Sequence, residues 1–275
     1  LLSIGSISFF GLRLGIDFKG GSLSEIEFKN ARPEQVMVEQ SLAPLALGEV
    51  IIQPTGPTGY SIKTRAVNET ERAGILAALG ADATEKSFTS IGPSVGAELV
   101  RKSIISFILV ALGIIFFIAF SFRKVSKPVS SWKYGLIAIV TLIHDILIPV
   151  GVFAFLSHTY GTEVDTLFVV AVLTILGLSV SDTIVVFDRI RENIRVGNFK
   201  TFEETVGNSL KQVYTRSITT SSTVIIVLLA LVFFGPTSTK VFAMMLTAGM
   251  FLGTYSSIFL ASPLLVLVNK PRAKK

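Results

Sequence analysis

LGLSVSDTIVVFDRIREN, residues 176–193, begins as an apolar run and ends as a cluster of charge. Its leading residues have the composition of a bilayer-spanning helix, yet Asp182 sits among them. A carboxylate near the centre of an inserted helix costs roughly 2.5–3.5 kcal/mol. Such a residue needs a partner that offsets the cost or a task that uses it. The fold follows from this stretch because the same alternation of oil and basic charge continues on both sides of it.

Of 275 residues, 50% are hydrophobic and only 16% charged, against about 25% charged in a soluble domain. The mean hydropathy is +0.66. The net charge of +6 is gathered at the ends of apolar runs, which points to membrane orientation and not to a nucleic-acid partner. The chain has no cysteine, which excludes disulfides and thiolate metal sites, and no metal or cofactor is expected. Five stretches are long enough to cross a hydrocarbon core, which needs about 20 residues: Ser103–Phe122, Tyr134–Ser157, Asp165–Phe187, Val213–Phe234 and Val241–Val268. Residues 1–14 contain a shorter apolar run, Leu1–Phe10, which we read as the end of a first, truncated span.

Lys and Arg placement sets the expected orientation. Arg123, Lys124, Lys127 and Lys133 lie between the second and third spans. Arg189, Arg191, Arg195, Lys200 and Lys211 lie between the fourth and fifth, and Lys270, Arg272, Lys274 and Lys275 follow the last. The opposite loop, Thr159–Val164, has no basic residue, and Gly235–Lys240 has one. The basic segments and the tail, 271–275, are therefore expected in the cytoplasm, and residues 15–100 outside it. Arg101 and Lys102 depart from the rule at a helix end, where long side chains snorkel. Residues 101–270 then form a five-helix membrane domain.

The segment 15–100 reads as a small α+β domain. Strand patterns occur at 22–28, 48–54, 59–65 and 83–91, with helices from Pro33 to Leu45 and from an Asn68 cap to Leu79. The order β-α-β-β-α-β matches the ferredoxin-like split βαβ. It carries no His and no Gly-rich phosphate loop, so a binding or packing module is expected and not an enzyme.

The ionisable residues inside the apolar runs are His144 and Asp145, Asp182 and Arg216. On a helix, Asp182 shares a face with Ser179 and Thr174, and Arg216 with Thr219, Thr220 and Thr223. Lipid cannot satisfy such polar stripes, so they must face protein or water. Two readings stay open for Asp182 and Arg216. One is an ion pair holding two helices, although a buried pair often fails to repay its desolvation. The other is a proton relay: burial favours the neutral acid and a nearby guanidinium favours the carboxylate, so changing their separation loads and releases a proton. Asp145 has His144 and Thr141 as candidate quiet partners. Asp188 and Arg189 fall on the solvated helix continuation, where Asp188 can pair with Arg191 or Arg195. Ser94 is expected to cap the second span, and Gly249, Gly253, Ser257 and Ala261 draw a small-residue stripe for close helix packing.

GIDFKGG (15–21), IGPSVGAEL (91–99), His144–Asp145, SDTIVVFDRIREN (181–193) and TRSITTSST (215–223) stand in the order and spacing of the SecD/SecF protein-export family, on its SecF side. The resemblance covers essentially the whole chain. It implies the six-span half of a resistance-nodulation-division transporter with one extracytoplasmic domain, in the bacterial cytoplasmic (inner) membrane. It implies a proton-driven machine that works with SecD, separate or fused, beside a SecY-type channel, on an unfolded polypeptide in transit. The family's proton-path residues fall on Asp182 and Arg216; Asp145 and Thr220 are further relay candidates from their own place in the spans and not from the resemblance. Asp17, Gly20, Gly21, Asp188 and Arg189 belong to its motifs. Two rivals differ in class: a small-molecule or lipid exporter, disfavoured by the small outer domain, and an intramembrane aspartyl protease using Asp145 and Asp182, disfavoured by SVSD in place of a GxGD context.

Overall fold

A computed structural model describes residues 2–121, 130–197 and 199–269. The described chain divides into two compact units, Leu14–Ile104 and the remainder. The basic residues Arg123, Lys124, Lys127, Lys270, Arg272, Lys274 and Lys275, and the tail 271–275, lie outside the described residues.

In chain order the elements are α1 (Leu2–Phe10), α2 (Ile16–Lys19), β1 (Gly21–Phe28), α3 (Gln35–Leu42), β2 (Ile51–Thr55), β3 (Gly59–Thr64), α4 (Glu69–Leu79), β4 (Ala83–Ile91), α5 (Pro93–Ser121), α6 (Ser131–Tyr160), α7 (Thr166–Val196), α8 (Phe202–Phe234), α9 (Thr237–Ser256) and α10 (Ser262–Asn269). A 3-10 turn, Ala43–Leu45, follows α3, and a π-helical turn, Ser257–Ala261, joins α9 to α10.

In the first unit the strands lie in the order β2-β3-β1-β4, with every neighbouring pair antiparallel. β1 and β2 are consequently parallel with β3 between them. Alternate residues Ser24, Ile26 and Phe28 of β1 are buried. Ile26 joins Ile62 of β3, Val38 and Leu42 of α3 and Ile75 of α4 in one core. The α4 helix starts where the sequence expects it: Asn68 accepts from the Glu71 amide and the Glu71 carboxylate accepts from the Asn68 amide, both at 2.9 Å. Arg65 closes on the same carboxylate at 2.5 Å. This guanidinium, then the Asn68 amide, hold the Glu71 carboxyl below the ordinary carboxylate value of 4.5. A depressed folded-state value gives stabilisation that is complete above the unfolded value and lost on acidification. Amides of residues 69–79 should therefore lose hydrogen-exchange protection, corrected for intrinsic rate, as the pH falls below 4.5. Glu71→Gln should flatten that dependence.

GIDFKGG and IGPSVGAEL pack on each other within this unit. Gly20 has φ +79, and a Cβ there would lie 2.9 Å from both Cα and N of Pro93. Gly96 is equally tight, its Cβ position falling 2.8 Å from the Phe18 carbonyl oxygen. The expected cap at Ser94 is not formed, because the helix already starts at Pro93. Proline suits the first helical position, where its missing N–H goes unused.

The second unit holds the apolar helices. Five described helices are long and apolar enough to cross a membrane: Pro93–Ile118, Trp132–Tyr160, Thr166–Val196, Phe202–Phe234 and Ser238–Asn269. Most exceed the expected spans because polar extensions continue the helix beyond the oil. α8 starts at Phe202, capped by Thr201, so Arg216 stands several turns inside it. α1 packs along α6, with Ser6 Oγ donating to the Gly151 carbonyl at 2.8 Å. The small-residue stripe of the last span meets α7 of this same chain. A Cβ on Gly249 would collide with Ile175, and one on Gly253 would lie 3.2 Å from Ser179 Cβ.

Candidate functional site

α7, α8 and α9 enclose a cavity of about 220 Å³, lined among others by Ser179, Asp182, Arg216, Ser217, Thr220 and Thr254. The first feature dictating it is close helix approach: Gly249 and Gly253 let α9 press against α7. The second is the serine and threonine content of the facing turns. Ser221 of α8 and Thr254 of α9 share a hydrogen bond of 2.5 Å.

Asp182, half-buried, accepts from Ser257 Oγ at 2.9 Å. Among the described residues no ion pair joins it to Arg216. The two share the cavity wall without closing on each other. Ser217 is 2% exposed, lines the cavity, and its hydroxyl has no hydrogen-bond partner in the protein. A cavity of this size with several convergent polar groups has room and partners for water.

The expected stripes resolve unevenly. Thr220 lines the cavity, while Thr219 and Thr223 are exposed and Thr174 bonds back to its own helix at Val170. Arg216 itself is exposed on this chain. The buried face of α8 carries Ser209, Val213, Ser217 and Ser221 instead. The buried stripe is thus offset by one residue from the charged one.

Asp145 lies outside the cavity wall, fully buried. Ser179 Oγ of α7 and Ser256 Oγ of α9 both donate to its Oδ2, the latter at 2.6 Å. His144 Nδ1 lies 2.9 Å from Oδ1. Thr141 does not serve it: its hydroxyl bonds the Ile137 and Ala138 carbonyls of its own helix. Pro149, four residues on, removes the amide that would bond the Asp145 carbonyl in a regular helix. Sequence reasoning missed Ser256. Pro263, which cannot donate to Phe259, stands just beyond the π-helical turn but gives no local signal for Ser256.

The remaining candidates lie elsewhere. Asp188 pairs with Arg191 at 3.5 Å, and Arg189 with Glu192 at 2.6 Å and Gln212 at 2.7 Å, a solvated network joining α7 to α8. Asp17 stands in the short α2, and Gly20 and Gly21 link α2 to β1.

Residues 72–271 match the family described as "Protein export membrane protein SecD/SecF, C-terminal", and residues 5–31 match the "SecD/SecF GG Motif". A protein translocase subunit SecF from Thermobaculum terrenum is 47% identical over 273 residues, covering 94% of this chain and 84% of its own. Its counterpart in Anaerolinea thermophila is 36% identical over 95% of this chain and 86% of its own. Among solved structures, SecDF of Thermus thermophilus superposes with a TM-score of 0.82 at 29% identity, over 98% of this chain. A SecDF in a super-membrane-facing form gives 0.67 at 30% identity, over 97% of this chain. The chain spans 36% of the length of each of these SecDF structures. With a family match across most of its length and relatives of this identity, the chain belongs to the SecD/SecF family of protein-export membrane proteins, among the SecF subunits.

Proposed function

We propose that this chain is a subunit that couples the proton gradient to polypeptide export, with Asp182 and Arg216 as its proton relay. The observation that carries the reading is the cavity they share: Asp182 and Arg216 both line it, and among the described residues no ion pair closes between them. A locked pair would fix both charges. An open one lets the carboxylate exchange a proton as the helices move, and each charge crossing the field exchanges about 2.3 kcal/mol per 100 mV. Thr220, on the same wall, serves as a hydroxyl on the path.

The exposed face of α8, with Arg216, Thr219, Thr220 and Thr223, is one that lipid cannot satisfy. We assign it to the helices of SecD, fused or separate, so that the path is completed by two halves. The SecDF likenesses, in which this chain corresponds to about a third of a longer polypeptide, support that assignment. A SecY-type channel and an unfolded polypeptide in transit are the further partners.

The chain is read as a membrane segment over 1–14, an extracytoplasmic ferredoxin-like domain over 15–100, five spans over 101–270 and a cytoplasmic tail over 271–275, in the bacterial cytoplasmic membrane. The split βαβ reading is supported by strand order β2-β3-β1-β4. The orientation is supported by Lys133 Nζ, which reaches the Val268 carbonyl at 3.0 Å, and Arg191, which reaches the Ser121 carbonyl at 3.3 Å. Basic residues thus cluster at one set of helix ends. We read the chain as a non-enzymatic subunit. A protease dyad needs both carboxylates at one water, whereas only Asp182 lines the cavity and Asp145 is enclosed.

The test is gradient-dependent export in vesicles carrying this chain and SecD, comparing wild type with Arg216→Met. The variant is expected to lose most of the gradient-stimulated increment while still co-purifying with SecD. An unchanged increment removes the guanidinium from the path and favours a scaffold role.

A further inference from the structure

The relay above leaves one membrane-buried acid unused. Asp145 is fully buried, and among the described residues no arginine or lysine pairs with it. Each of its partners is instead a group that both donates and accepts: the Ser179 hydroxyl, the Ser256 hydroxyl and the His144 ring. A fixed cation would hold such an acid ionised. Reversible partners serve the carboxylate and the carboxylic acid alike.

The last span adds a second regularity. Ser256 Oγ reaches Asp145 Oδ2 at 2.6 Å or the Gly253 carbonyl at 3.2 Å. Its neighbour Ser257 reaches Asp182 Oδ2 at 2.9 Å or the Thr254 carbonyl at 3.0 Å. Each hydroxyl therefore has a carboxylate and the carbonyl three residues back as alternative acceptors. When its carboxylate gains a proton, the hydroxyl can turn to the carbonyl and offer a lone pair to the new acid O–H. Two consecutive residues at the mouth of a π-helical turn thus report on two different acids.

We propose that Asp145 is a second proton site of this chain, reached from the cavity through Ser179 and tied to Asp182 by the Ser256–Ser257 turn. Ser179 lines the cavity and donates to Asp145. Its oxygen takes a proton from a hydrated proton in the cavity while its own passes to Oδ2. The water loses one proton, Asp145 gains one, and the serine is unchanged. α6 packs against α1, α7, α9, the π-helical turn and α10. The charged or titratable groups facing Asp145 from these elements and its own are His144 on α6 and Asp182 on α7, with Arg216 of α8 across the cavity. α1, the π-helical turn and α10 carry none, and α9 carries Lys240 at its far end and Tyr255, whose side chain is exposed. The proposal rests on the Asp182 reading for the tie, and goes beyond it in assigning a second site.

The experiment is pH-titrated infrared difference spectroscopy of the full chain reconstituted with SecD in lipid vesicles, following carboxylic C=O bands. Wild type should show two bands that come and go with pH, one lost in Asp145→Asn and the other in Asp182→Asn. In Asp145→Asn the midpoint of the surviving band should also move. Ser256→Ala keeps both acids and should shift the Asp145 midpoint by about one pH unit, the scale of one hydrogen bond to a charged group. If Asp145→Asn removes no band, the second site is overturned and the Asp182 relay stands; if Ser256→Ala moves nothing, the tie through the Ser256–Ser257 turn is overturned. If Asp145→Asn leaves the Asp182 midpoint in place, the tie is overturned. If Asp182→Asn removes no band, the relay reading itself falls, and the tie with it.

Discussion

Asp182→Asn is expected to abolish the part of polypeptide export that responds to the proton gradient, with assembly intact. The amide has the shape of the acid, and its carbonyl oxygen still accepts from Ser257, 2.9 Å away in the wild type. What it cannot do is titrate. A proton falling through 100 mV releases about 2.3 kcal/mol, roughly fifty-fold in an equilibrium constant, and that whole factor is what the variant forfeits. The measurement compares export in vesicles with and without an imposed gradient, with SecD co-purification as the control for assembly. An unaltered gradient response with normal assembly would leave Asp182 as a helix-packing residue and favour the scaffold reading.

Gly20→Ala is expected to destabilise the unit containing residues 14–104 by about 3 kcal/mol or more. Gly20 has φ +79 and ψ 155, a backbone region essentially restricted to glycine, where strain is about 1–3 kcal/mol. To this is added a Cβ 2.9 Å from two backbone atoms of Pro93, which cannot swing aside as a side chain does. Gly80 supplies the control: its backbone is nearly the same, with φ +88 and ψ 174, and no atom lies within 4 Å of the added Cβ. Gly80→Ala should carry the strain alone. Limited proteolysis of the full chain in membranes should show cutting between 14 and 104 sharply raised in Gly20→Ala and only mildly in Gly80→Ala. Equal sensitivity would mean that the contact with Pro93 contributes nothing.

What could be read from residues alone divides along physical lines. Asp182 was legible because a charge in oil is expensive, so its presence is itself information. The strands at Gly21–Phe28 and Gly59–Thr64 and the Asn68 start of α4 were legible because period-two alternation and capping are local. Ser256 was not, because a serine inside a helix costs little and its meaning depends on which carboxylate a different helix brings opposite it. The buried face of α8 was not legible for a related reason: Arg216 drew attention to its own stripe, while one step round the helix Ser217 lines the cavity and Ser221 bonds Thr254 of α9. The four-residue spacing of Gly249 and Gly253 announced a close neighbour, but only tertiary structure identifies it as α7.

Ahead of the π-helical turn, chain length is as decisive as composition in the last span. Successive side chains in an α-helix are set about 100° apart, so Ser256 and Ser257 can point to Asp145 and Asp182 only at one angular phase. The wider turn at Ser257–Ala261 resets that phase before α10, whose Leu265 is fully buried. Removing one residue within 258–261 would let the wide turn close to a regular α-turn, leaving Ser256 and the buried Leu265 at nearly their present bearings. Removing one just before Ser256 would instead carry the next hydroxyl into its bearing and leave one acid without its serine. Here a deletion acts as a rotation, and two acids are indexed by the same count.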